Sequence, residues 1–238
     1  ERQAASESLR MDPLAPGADI IVTAGKRSES LLDVPLSLSV LRIAEGAGLA
    51  RLDGTTQIAA RIDGLALTNQ GPGRNRPFIR GVADSPFNGP TQSTVSLQID
   101  EVRTTYNAPD PDLRLVDVER VEVLKGPQGP LYGTGALGGV YHIVLRKPDL
   151  ERMAGFAAVG GSLMNSGGGG VNGEAMLNLP VVRDRLAMRL VGYGGREAGW
   201  IDAAAGKDRN DLRMSGVRAA LRADLSGGWA LDLAGTGQ

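Results

Sequence analysis

Residues 121–148, VEVLKGPQGPLYGTGALGGVYHIVLRKP, set two strand-like runs on either side of a glycine-rich bend. Val121–Lys125 enters the bend, the bend ends at Gly139, and Val140–Arg146 follows and stops at Pro148. β-branched residues favour extended backbone in both runs. The glycines between them allow sharp turns that side chains resist. The segment therefore reads as a β–turn–β unit. It also contains Gly133-x-Gly135-x-x-Gly138, a literal match to the dinucleotide fingerprint. That fingerprint works only where a helix N-terminus follows and receives the pyrophosphate. Here Val140-Tyr-His-Ile-Val follows, so the context fails, and the Gly-Lys-Ser/Thr of a Walker loop is missing.

Upstream, Glu1–Ala18 is polar, ends in Pro16-Gly17, and reads as a flexible linker. Asp19–Ala24 (DIIVTA) and Leu36–Ile43 read as strands. Leu49, Leu52, Ile58 and Ile62 fall near helical spacing, which predicts a helix over Thr56–Ile62 capped by Thr55. Asn69–Pro77 is a turn-rich loop. Phe78–Val82, Val95–Val102 and Val118–Leu124 read as strands, with loops over Ala83–Thr94 and Arg103–Asp112. Together these predict a small α+β domain ending near Leu150.

Beyond Leu150 the pattern becomes alternation. Leu186, Met188 and Leu190 oppose Arg185, Arg189 and Tyr193. Val217, Ala219, Leu221, Ala223 and Leu225 oppose Arg218, Arg222 and Asp224. Ala175, Leu177 and Leu179 oppose Glu174 and Asn178; Trp229, Leu231 and Leu233 oppose Asp232 and Thr236; Gly155–Leu163 alternates more weakly. Five amphipathic strands result. A soluble sandwich alternates in the same way. The connections lean towards a membrane barrel, because short turns (Val182–Asp184, Ser226–Gly228) alternate with longer links (Met164–Gly170, Gly199–Asp211).

Several function classes drop out. The net charge of −1 gives no basic surface for nucleic acid. The chain has no Cys and a single His, His142, so Cys-based zinc sites and multi-His metal sites are excluded. His142 reads as a structural or lumen-facing residue. Glu119 and Glu122 lie three apart in a strand and so face opposite sides, which argues against joint acid–base chemistry. Ion pairs with Arg80, Arg120 or Lys125 suit them better. No catalytic residues and no cofactor are expected. No apolar run of about 18 residues offers a membrane helix, and Glu1–Arg10 lacks the apolar core of a signal peptide.

An ordered series of segments resembles the plug domain of TonB-dependent outer-membrane receptors. DIIVTA (Asp19–Ala24) resembles the TonB box, Phe78-Ile-Arg-Gly-Val82 the FIRG strand, and Val95–Val102 the strand that comes after it. Val118–Pro127 and Leu131-Tyr-Gly133…Gly138-Gly139 complete the plug pattern, and Asn178-Leu-Pro180, Arg185-Leu-Ala187 and Gly199-Trp-Ile201 resemble the first barrel hairpins. Glu101, His142 and Pro130 depart from the usual residues at their positions. The resemblance implies an α+β plug domain followed by antiparallel transmembrane β-barrel strands, an incomplete barrel. Residues 1–18 would be linker, 19–150 TonB box and plug, and 151–238 the first five or so strands. Plugged transporters have about 22 strands, so roughly 17 are absent and the chain is expected to be a fragment whose open edges promote aggregation.

The resemblance further implies a receptor in the outer membrane of a Gram-negative bacterium, in contact with outer-membrane lipid, its plug facing the periplasm. It would take up a scarce nutrient, with a ferric siderophore leading and cobalamin or sugars behind. TonB, with the ExbB/ExbD energy-coupling complex, would bind Asp19, Ile20, Ile21, Val22, Thr23 and Ala24 by strand addition. Asn69, Gln70, Arg74, Asn75, Arg103, Tyr106 and Asn107 are the candidate ligand contacts, with the arginines suited to an anion and Tyr106 to stacking. A second class stays open, a soluble glycine-rich β-protein acting as an adhesin or binding module.

Overall fold

The computed structural model describes residues 20–23, 25–43, 54–68, 70–71, 74–82, 93–104, 113–164, 167–202, 210–225 and 227–238. The described residues divide into two compact units, one of residues 20–43 and 54–145 and one of residues 146–238.

The first unit is α+β. Its elements are β1 (Ile21–Val22), β2 (Glu29–Ser30), β3 (Leu38–Arg42), α1 (Thr55–Ala59), β4 (Leu65–Leu67), β5 (Pro77–Ile79), β6 (Val95–Ile99), β7 (Val102–Arg103), β8 (Val118–Lys125), α2 (Gly129–Tyr132) and β9 (Gly139–Leu145). The main sheet runs β3-β8-β9-β6-β7; β6 and β9 are parallel and the other pairs antiparallel. β8 and β9 lie inside this sheet, and every residue of β9 is buried. The near-continuous apolar run of β9 follows from that place, since strands covered on both faces need not alternate. Val121, Val123, Leu124, Val140 and Tyr141 are fully buried with Val95, Leu97, Ile58 and Ile79. Each such side chain contributes roughly 1.5–3 kcal/mol.

The glycine-rich bend is ordered by its backbone. Gly126 N–H donates to Gly138 O (3.0 Å), Gln128 N–H to Ala136 O (2.8 Å) and Gly138 N–H to Thr94 O (2.8 Å). Within it the short helix α2 puts Tyr132 against Leu124, Ala136 and Val140, with Leu36 and Leu38 packed alongside. The helix precedes Gly133-x-Gly135-x-x-Gly138, and β9 comes after the motif, so no helix N-terminus faces it. Gly139 has φ of +147°, and a Cβ there meets Leu124 O and, at 2.8 Å, Ile79 Cδ1.

Several boundaries differ from the sequence expectation. The helix is Thr55–Ala59, and Gly54 occupies the cap position, its N–H bonded to Gln57 Oε1 at 2.9 Å; Thr55 is instead a buried first-turn residue. The FIRG strand stops at Ile79 because Arg80 (φ 52°) and Gly81 (φ 78°) turn the chain, and Val82 bridges back to Ile79. Val95–Val102 is two strands, folded into a hairpin where Asp100 takes φ of 49°.

The second unit carries β10 (Ala154–Leu163), β11 (Gly169–Val182), β12 (Leu186–Glu197), β13 (Leu212–Leu225) and β14 (Trp229–Gly237). They form one antiparallel sheet in sequence order, with β10 and β14 at its edges. Directly opposed residues share a face. Leu177, Leu190 and Ala219 therefore stand in one row, and Leu179, Met188, Leu221 and Leu233 in the next. The other face carries Asn178, Arg189 and Ala220, then Met176, Val191 and Arg218. Strand β11 runs well beyond the expected 175–179, so the link from β10 shrinks to a few residues. Asn178 is fully buried; its Nδ2 donates to Asp149 O (2.9 Å) and Arg152 O (2.7 Å), and its Oδ1 accepts from Asp149 N–H (2.9 Å). The N–H groups of Glu151 and Arg152 donate to Asp149 Oδ1 and hold that carboxyl below its ordinary range. The segment leading into the sheet is thereby clamped to β11.

Gly139→Ala forces both a strained φ and a clash with the neighbouring strand, and should cost roughly 2–5 kcal/mol. Gly129→Ala, where a Cβ meets nothing within 4 Å, should be near neutral. Equilibrium denaturation of the two variants checks the contrast.

Candidate functional site

Glu122 lies on β8 amid apolar residues, and its side chain is fully buried. A carboxylate taken out of water must be matched by donors. Four reach it. Thr23 N–H lies 3.0 Å from Oε1 and 3.2 Å from Oε2, and the Thr23 hydroxyl lies 3.2 Å from Oε1. Arg120 Nε donates to Oε1 at 2.7 Å. His142 on β9, directly opposite in the ladder, places Nδ1 at 3.4 Å from Oε2. Burial pushes the Glu122 carboxyl up, but the bonds from His142, Thr23 and Arg120 outweigh it and hold the group down at about 2. His142 Nε2 is 2.8 Å from Asp100 O, an atom that can only accept, so this nitrogen carries a proton.

Arg120 also donates through Nη1 to Glu119 Oε1 at 2.5 Å. The β8–β9 register shifts between Val118 and Arg120, which makes Glu119 the extra residue of a bulge. The bulge lets one guanidinium serve both carboxylates, although an unbroken strand would separate residues three apart. Of the three cations considered from the sequence, Arg120 is the partner; Arg80 Nη2 donates to Ser37 Oγ at 2.6 Å.

The N-terminal arm meets this cluster as a small hairpin. β1 and β2 pair as Ile21↔Ser30 and Val22↔Glu29. Lys26, at φ of 60°, turns the hairpin and sends Nζ to Glu101 Oε2 (2.7 Å) and Gln98 Oε1 (3.5 Å), 4.7 Å above the centre of the Tyr132 ring. Burial raises the Tyr132 hydroxyl to about 12, and the charges of Glu122 and Glu101 add to that. The arm is thus held at two points, Thr23 inside and Lys26 outside.

Of the residues the sequence singles out, Asp19, Ala24, Asn69, Tyr106 and Asn107 lie outside the described residues. In the arm, Val22 is buried, Ile21 is half exposed, and Thr23 is bonded to Glu122. Gln70 and Asn75 come together, the Gln70 N–H donating to Asn75 Oδ1 at 2.9 Å, so the buried Asn75 shapes its own loop. Arg74 is exposed in that loop. Arg103 is directed elsewhere; its Nη1 donates to Thr134 O in the glycine-rich bend. The sequence does not mark Glu122, Arg120, Lys26 or Glu101 as arm contacts. One signal is present, the charged residues Glu119, Arg120 and Glu122 set among the valines of the strand VERVEVLK. Among the described residues, no group of three or more His, Cys, Asp or Glu side chains is placed to hold a metal ion.

The family model for the TonB-dependent Receptor Plug Domain matches residues 30–140. The pesticin receptor of Yersinia pestis is 32% identical over 139 residues, 55% of this chain and 19% of that protein. The metal-pseudopaline receptor CntO of Pseudomonas aeruginosa is 48% identical over 60 residues, 25% of this chain and 8% of that protein. The chain thus spans about a fifth or less of the length of these curated relatives. Among solved structures, the ferric yersiniabactin uptake receptor FyuA from Yersinia pestis aligns with a TM-score of 0.68 at 26% identity, covering 84% of this chain and 31% of that one. The pyoverdine outer membrane receptor FpvA from Pseudomonas aeruginosa aligns with a TM-score of 0.69 at 21% identity, covering 89% and 28%. The second likeness is one of fold.

The Glu122 cluster makes a signed prediction. A carboxyl lowered from 4.5 to about 2 adds stability that is present in full above pH 4.5 and is lost as pH falls through about 2. Acid titration of unfolding should show this loss in the native protein, and Glu122→Gln should remove it. At neutral pH, Glu122→Ala breaks the buried ion pair, leaves Arg120 with Glu119 alone and removes the acceptor of the Thr23 N–H, and should cost about 3–5 kcal/mol.

Proposed function

Residues 30–140 are the plug domain of a TonB-dependent receptor, and from that premise we propose that the protein captures a scarce nutrient at the outer membrane of a Gram-negative bacterium and takes it up with energy delivered by TonB. The observation that carries the reading is the order of parts in one chain: a matched plug, then a clamped linker, then five antiparallel strands with one apolar face. In this reading residues 19–150 are the TonB box and plug, and residues 151–238 open the barrel. The row of Leu177, Leu190 and Ala219 faces lipid, and the Arg189 and Arg218 face lines the interior. The plug faces the periplasm, and the cargo leaves chemically unchanged.

The cargo we propose is a ferric siderophore. Support comes from similar proteins whose names include a ferric enterobactin receptor and a ferric yersiniabactin uptake receptor. Cobalamin is the second reading, supported by a 26% identical vitamin B12 transporter from Photobacterium profundum. Gln70, Arg74 and Asn75, with Asn69, Arg103, Tyr106 and Asn107, are the proposed ligand contacts in the plug. TonB, working with ExbB/ExbD, engages Asp19–Ala24 by adding a strand, so that main-chain hydrogen bonds carry the pull.

Deleting Asp19–Ala24 from the full-length receptor should abolish uptake and leave ligand binding intact; unchanged uptake would remove the TonB-box assignment. Growth rescue by the full-length gene in iron-limited medium with added siderophores, against cobalamin-limited medium, separates the two cargo readings. Rescue only in the cobalamin arm would displace the siderophore.

A further inference from the structure

The outer edge of β1 is the edge on which a partner strand would build. β1 and β2 form a two-stranded sheet, and Leu31 N–H donates to Ile20 O at 2.8 Å. In an antiparallel ladder, alternate residues turn their N–H and C=O groups towards and away from the neighbour. Ile20 and Val22 therefore face β2, and the Thr23 N–H points the other way. That N–H is the one Glu122 takes, with both carboxylate oxygens within 3.2 Å.

We propose that Glu122 is a resting cap on the TonB-box strand, occupying through the Thr23 N–H the edge that TonB must pair with, and that Lys26 on Glu101 and Tyr132 is its second hold. The proposal rests on the reading of Asp19–Ala24 as the TonB-binding segment. Strand addition along β1 and the carboxylate compete for one donor, so the two states exclude each other at Thr23. The competition has a consequence inside the plug. When Thr23 leaves, the buried carboxylate loses its bonds to both the N–H and the hydroxyl and keeps only Arg120 and His142. A buried charge stripped of donors destabilises its surroundings, and Glu122 sits on β8, inside the main sheet. Coupling of this kind is reciprocal. TonB capture loosens the plug at β8, and anything that loosens the β8 cluster frees the strand for TonB. Capturing the arm and weakening the plug are then one event, set by one carboxylate.

The test is calorimetric binding of the purified periplasmic domain of TonB to the full-length receptor without ligand. It compares wild type, Glu122→Gln, Lys26→Met and a deletion of Asp19–Ala24. Glu122→Gln keeps the side chain's shape but loses the charge that holds Thr23, and should bind about tenfold tighter. Lys26→Met removes an outer, half-exposed hold and should bind about threefold tighter. The deletion should not bind. Should Glu122→Gln fail to fold, Lys26→Met decides alone. Variants that bind no tighter than wild type, while the deletion abolishes binding, overturn the cap and leave the TonB reading standing. A deletion that still binds TonB overturns both.

Discussion

A carboxylate with no access to water organises the first unit. Glu122 sits in the middle of β8, beside the fully buried β9, and its charge survives there because partners converge on it from three places. Arg120 comes from its own strand, His142 from β9 across the ladder, and Thr23 from an arm 99 residues away in sequence. Removing any of them leaves the buried charge with fewer donors. The interaction therefore fixes where the arm lies and ties it to the strands at the heart of the sheet.

The second unit solves a different problem. Its strands are amphipathic, and the register stacks like with like across four ladders, so the sheet presents one apolar and one mixed polar face. Where the chain enters this sheet, the Asn178 side chain makes three hydrogen bonds to the backbone of residues 149 and 152. The segment entering this sheet is thus gripped by a buried amide, and the N-terminal arm of the first unit is held through a main-chain N–H on a carboxylate. The amide makes three bonds to the segment it clamps. The arm is held by Thr23 on the buried Glu122 and by Lys26 on the exposed Glu101.

The strands after Leu150 are readable in the sequence because each face meets one environment and alternation reports it directly. Leu186, Met188 and Leu190 fall on one side in the sequence and in the sheet alike. β8 and β9 are readable as β-branched runs, and the failure of the nucleotide motif is readable from the β-branched residues Val140–Val144 on its C-terminal side. Other features leave no local signal. The helix Gly129–Tyr132 has a composition poor for helices, and it forms because Tyr132 gains a core contact. The bulge at Glu119 breaks the rule that residues three apart diverge. The split of Val95–Val102 depends on Asp100 accepting a positive φ. The bond from Thr23 to Glu122 spans 99 positions and has no period at all, so the DIIVTA segment can be recognised but not its tether.

Hydrogen exchange at the Thr23 amide in the full-length, ligand-free protein addresses the tether most directly. A main-chain N–H held by a buried carboxylate should exchange far more slowly than the same residue in an unstructured arm, and Glu122→Gln should return it towards the unstructured rate. An amide that exchanges at the unstructured rate in the wild-type receptor would contradict the account.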